Sequence, residues 1–103
     1  MAVDLRGLNT TVAAAGTPVP VSATSIKAPG CTIRANPTNV GTIYVGGVNL
    51  GLNTRAAELN AGDAIEIVGP NIGGTEEEID LSKIYIDSSS SGDKVTVAYF
   101  VRS

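Results

Sequence analysis

The run that most constrains this chain is its last, Lys94-Val95-Thr96-Val97-Ala98-Tyr99-Phe100-Val101. Apolar side chains recur at every second position, so Val95, Val97, Tyr99 and Val101 share one face of an extended segment. A period of two with β-branched residues belongs to a strand with one face in a core and the other toward solvent. The pattern returns upstream. It points Cys31, Ile33 and Ala35 inward in Cys31–Asn36, and Ile43 and Val45 inward in Thr42–Gly46. Ile65 and Ile67 point inward in Ala64–Val68, as do Ile84 and Ile86 in Leu81–Asp87. The predicted core is therefore Ile33, Ile43, Val45, Ile65, Ile67, Ile84, Ile86, Val95 and Val97.

Turn signals separate these runs, and no long segment has helical period. Short strands between turn clusters predict an all-β chain, a single antiparallel β-sandwich that is jelly-roll-like or small-barrel-like. The length of 103 residues fits one domain. Residues 1–10 read as an N-terminal arm or a first strand, and residues 11–103 as the sandwich. Pro18 and Pro20 each remove a ladder donor, which makes Thr17–Ser22 an edge strand. In the turn Asn36–Gly41, Asn39 and Gly41 are expected at positive φ. Thr54–Leu59 is either one helical turn capped by Thr54 or irregular. The polar stretches Gly69–Ile79 and Ser88–Asp93 are expected to point to solvent.

Composition narrows the function. The net charge is −3, and nothing basic is clustered, which disfavours nucleic acid. No apolar run approaches the roughly 20 residues of a membrane-spanning helix, and residues 1–6 lack a secretory pattern. A single cysteine, Cys31, fits synthesis in a reducing cytosol and reads as a small buried hydrophobe. With no histidine there is no Ser-His-Asp or Cys-His arrangement. Glu76-Glu77-Glu78 with Asp80 lacks the ligand spacing of a calcium loop and reads as a solvated loop. Gly46-Gly47-Val48-Asn49-Leu50-Gly51 lacks the Lys and Ser/Thr of a phosphate-binding loop. No catalytic, cofactor-binding or metal residue is assigned, and no enzyme activity is expected.

Only 17% of residues are charged, too few to cover a small domain, so much of the surface is expected to be Ser, Thr, Asn and Gly or to be covered by a partner. Val3, Leu5 and Leu8 in the first ten residues prefer burial. Tyr44 and Tyr85 fall on outward faces by alternation. These five are the candidate contact residues.

Four segments carry a resemblance: Thr32–Gly47, Leu59–Ile67, Asp80–Asp87 and Gly92–Phe100. In that order, with Thr11–Val19 upstream, they resemble small virion structural proteins of tailed bacteriophages. Val68–Ile79 is longer than the usual pattern, and Met1–Thr10 has no counterpart. The resemblance implies a capsid decoration (cement) protein, a head-fibre part or a small tail component, and it brings no catalytic residues. The first expectation is a decoration protein, a homotrimer bound to major capsid protein on the outer surface of the head. The alternative is a tail, baseplate or head-fibre component, a receptor- or carbohydrate-binding module being one form of it. A small hydrolase ranks last. Copy number per particle separates the first two: hundreds for decoration, far fewer for a fibre or tail part.

Overall fold

The computed structural model describes residues 3–51, 54–68, 71–72, 75–76 and 78–102. It is an all-β fold of antiparallel sheets packed together as a sandwich. The first sheet contains β1 (Val3–Thr11), β4 (Gly30–Ala35), β7 (Ala64–Val68) and β12 (Lys94–Arg102), in the order β1-β12-β4-β7. The second contains β2 (Val19–Pro20), β5 (Ile43–Gly46), β6 (Ala57–Leu59) and β11 (Tyr85–Ser88), in the order β2-β11-β5-β6. Two short pairs lie outside these sheets: β3 (Lys27–Ala28) with β10 (Ile79–Asp80), and β8 (Asn71–Ile72) with β9 (Thr75–Glu76). A 3-10 turn, Leu81–Lys83, precedes β11.

The register shows why alternation leads to this fold. Leu8, Val97, Ile33 and Ile65 lie opposite one another across all four strands of the first sheet, on its inner face. In the second sheet Ile86 faces Val45 and Ser88 faces Ile43. Ile33, Ile43, Ile86, Val95 and Val97 are wholly buried, and Val45 nearly so. Each such side chain contributes about 1.5–3 kcal/mol of transfer free energy. Ile65, Ile67 and Ile84 are only half-buried and pack against this cluster from its rim. β7 is an edge strand with a neighbour on one side only, and Ile84 sits outside the sheets at the C-terminal cap of the 3-10 turn. The places at the ends of the core belong instead to Val12, Val21 and Leu81.

Several local expectations change. Thr54–Leu59 forms no helical turn. The Thr54 hydroxyl donates to the Asn49 carbonyl (2.5 Å), and Ala57–Leu59 pairs with β5. A ladder with a neighbouring strand outweighs the weak local preference for a single turn. Asn39 and Gly41 do not take positive φ; that backbone occurs, among the described residues, at Gly16, Gly62 and Gly92. Gly41 is needed for room, because a Cβ there would collide with Ser89 and Ser90. Residues 3–11 form no separate arm but pair with β12 over their whole length. The stretch Gly69–Ile79 includes positions 69–70, 73–74 and 77, which lie outside the described residues, as do the acidic Glu77 and Leu52–Asn53.

The turn Ser88–Asp93, expected in solvent, is exposed at Ser89, Ser91 and Gly92 but closed at both its ends. Ser88 and Asp93 are 1% and 4% exposed. The Asp93 carboxylate accepts the Val40 N–H (2.9 Å), the Gly41 N–H (2.8 Å) and the Ser88 hydroxyl (2.8 Å). Burial pushes the Asp93 carboxyl up, but these three donors outweigh it and hold its pKa below the ordinary value. The Asp93 backbone carbonyl accepts the Val12 N–H (2.8 Å), and the Gly92 N–H donates to the Val12 carbonyl (2.8 Å). Asn39 adds a two-way bond to the Lys94 backbone, its side chain donating at 2.8 Å and accepting at 3.0 Å. One buried carboxylate thus joins the turn before β5 to the turn before β12.

Candidate interaction surface

The outer face of the first sheet is built from the residues that alternation turns away from the core. Gly7, Ala98, Thr32 and Glu66 form one row across the four strands. Asn9, Thr96, Arg34 and Ala64 form the next, where the Thr96 hydroxyl donates to the Asn9 side chain (2.9 Å). These rows are small or polar. Toward the far end of β12 the character changes: Leu5 stands opposite Phe100, and Val68 opposite Gly30. Leu5 is 67% exposed, Val68 66% and Phe100 48%. Between them runs a groove of about 350 Å³, lined also by Pro29, Thr32 and Glu66. Gly30 leaves its floor open, and a Cβ there would meet the Ile67 carbonyl oxygen at 2.8 Å.

The outer face of the second sheet carries the two tyrosines. Tyr85 lies opposite Gly46 and Pro20, and Tyr44 opposite Asp87 and Glu58. Both are half-buried. The Arg55 guanidinium sits 3.5 Å from the Tyr44 ring centroid and 3.9 Å from the Glu58 carboxylate. Tyr44 therefore already has a cation on one ring face. Asp87 is held too, accepting the Gly16 N–H (3.0 Å) and the Ser88 N–H (2.8 Å) on one oxygen.

The five candidate contact residues do not form one patch. Leu5 is on the outer face of the first sheet, whereas Tyr44 and Tyr85 are on the outer face of the second, across the core. Leu8 packs against the core. The Val3 side chain lies outside the described residues. Phe100 and Val68 join Leu5 instead. Their signal was present in the sequence, since each follows inward-pointing neighbours on an alternating strand and is apolar where a polar residue is expected.

Of the groups able to carry chemistry, Cys31 is buried, and burial pushes its thiol up to about 11, which leaves it un-ionised at neutral pH. Among the described residues no three His, Cys, Asp or Glu side chains gather to hold a metal. Asp80 is committed locally. Its carboxylate accepts the Ser25 hydroxyl (2.7 Å), the Ser82 hydroxyl (2.7 Å) and the Ser82 N–H (2.9 Å), which hold its pKa down at about 2. What this surface offers is an apolar strip on a sheet face, suited to binding another protein. Comparison with protein-family models, with curated proteins and with solved structures returned no match.

Proposed function

We propose that this chain is a structural protein of a tailed-phage virion, a decoration protein that docks on the outside of the head through the outer face of its first sheet. One observation carries the docking face: Leu5, Phe100 and Val68 stand together in solvent on a face that is otherwise small and polar. Water contact with three large apolar side chains is unfavourable, and covering them with a capsid subunit recovers that free energy. The resemblance in Thr32–Gly47, Leu59–Ile67, Asp80–Asp87 and Gly92–Phe100 supplies the partner class. The mechanism is binding alone. A protein that binds the assembled lattice and not its separated subunits stabilises the lattice by mass action.

The geometry favours this over a carbohydrate-binding fibre module. A sugar-binding site uses an open aromatic face set among polar groups, whereas one face of Tyr44 is occupied by Arg55, Tyr85 is half-buried, and Phe100 stands among the apolar Leu5 and Val68. The test is co-sedimentation of purified chain with undecorated heads. The full chain is expected to pellet with heads in hundreds of copies, and Phe100→Ser to remain in the supernatant. Binding that is indifferent to Phe100→Ser removes the face from the proposal, and no binding by either chain removes the head.

A further inference from the structure

We infer that the chain pairs with a second copy of itself, edge to edge, through antiparallel β1 strands in a register centred on Leu5. The inference starts from the four edges of the two sheets. β2 is two residues long and flanked by Pro18 and Val21, with Pro20 within it; β6 is three residues long. β7 is five residues, and pairing with a copy about its middle would oppose Glu66 with Glu66. Each is short or blunted in a way that discourages pairing. β1 has nine residues, no proline and no lysine, and pairs with β12 on one side only. Half of its N–H and C=O groups therefore point away from the sheet. Toward residues 8–11 that edge is approached by the second sheet, where the Thr10 hydroxyl donates to the Val21 carbonyl (2.5 Å). The segment left for a neighbour is Val3-Asp4-Leu5-Arg6-Gly7.

Symmetry then restricts the register. Two antiparallel strands related by a twofold axis normal to the sheet place opposed side chains on the same face, so the axis must pass midway between one residue and its own copy. Centring on Asp4 opposes two aspartates, and centring on Arg6 opposes two arginines, both unfavourable. Centring on Gly7 opposes Leu5 with Asn9 and Arg6 with Leu8. Centring on Leu5 opposes Asp4 with Arg6 twice and brings the two Leu5 side chains together. Within one chain Asp4 and Arg6 already share a face, 3.8 Å apart, and are 51% and 59% exposed. Each carboxylate would thus lie between its own guanidinium and the copy's. Leu5 is the most exposed member of the Leu5–Phe100–Val68 strip, and the pairing joins two such strips into one. Three side chains alone fall well short of the roughly 800 Å² per partner of a stable interface, so a doubled strip suits docking better.

A twofold pair needs one self-complementary patch, which residues 3–7 supply, whereas the homotrimer expected from the resemblance needs two different complementary patches. The twofold pairing does not depend on the phage reading, and its test needs no capsid. Sedimentation equilibrium of the 103-residue chain should give a dimer mass at high concentration. Asp4→Arg opposes basic side chains only, and Arg6→Asp acidic side chains only. Each should raise the dimer Kd by about tenfold or more. A 1:1 mixture of the two variants opposes basic with acidic side chains twice and should regain dimers, which a misfolded variant could not do. A monomer at all concentrations, a trimer, or dimers unaffected by the single variants would overturn the inference. Failure of the mixture to regain dimers would overturn the register.

Discussion

The two ends of β12 are finished in opposite ways. At its start, Asp93 is buried and every donor around it comes from the chain itself: Val40, Gly41 and Ser88. Near its far end, Phe100 stands with Leu5 and Val68 in solvent, and nothing among the described residues covers them. A buried carboxylate stripped of its donors is costly, whereas an exposed apolar side chain is common and cheap. The closed end therefore belongs to folding. The open end can be altered, or covered by another protein, with little consequence for the fold.

Breaking the closed end should have the largest effect. Asp93→Ala leaves two backbone N–H groups and the Ser88 hydroxyl facing a vacancy, at a cost of about 3 kcal/mol or more. The measurement is the urea midpoint, which should fall while the slope of the transition is unchanged. A midpoint equal to that of the unaltered chain would mean that the two turns hold without the carboxylate.

Acid probes the same end more gently. Asp93 has a folded-state pKa below its unfolded value of about 3.9, so its ionised form contributes stability at neutral pH. That contribution is complete above the unfolded pKa and is lost as pH falls through the folded one. Asp80, held at about 2 by Ser25 and Ser82, changes in the same direction. The urea midpoint should therefore drop as the solution is taken below about pH 4, and Asp93→Asn should flatten the drop. A midpoint that rises with acid would reverse the assignment.

At the open end the effect on stability should be smallest. Phe100→Ser is expected to change the folding free energy by less than about 1 kcal/mol while abolishing binding to heads. A loss comparable to that of Asp93→Ala would place Phe100 in the fold and erase the contrast.

Much of the sandwich was legible in the sequence because alternation is a direct image of the pleat. Ile33, Ile43, Ile86, Val95 and Val97 are buried where the pattern puts them. Val12 and Leu81 were not legible as core, since neither lies in a strand, and Val21, on the alternating face of Thr17–Ser22, was read only as part of an edge strand. Asp93 was hidden for another reason. Its donors at Val40 and Gly41 lie in a separate turn, and a Ser/Gly/Asp run viewed alone has the composition of a solvated loop. β6 was missed because its pairing with β5 is a tertiary choice. Of the candidate contacts, Leu5 kept its exposed place. Leu8 was absorbed because β1 joins the sheet, and the tyrosines were separated from Leu5 by the thickness of the sandwich.

The pairing of β1 with β12 also sets an order of events. Thr11 lies opposite Lys94 and Val3 opposite Arg102, so the first strand made finds its partner only when the last has been made. Contacts of such long separation reward the chain late, after nearly all of its loop-closure entropy has been lost, and they slow folding. Among the described strands β1 is the first in the chain and its partner β12 the last, so β1 lacks its ladder until the strands between them have been made. The segment that is self-complementary in the finished protein is therefore also the one exposed longest in the nascent chain.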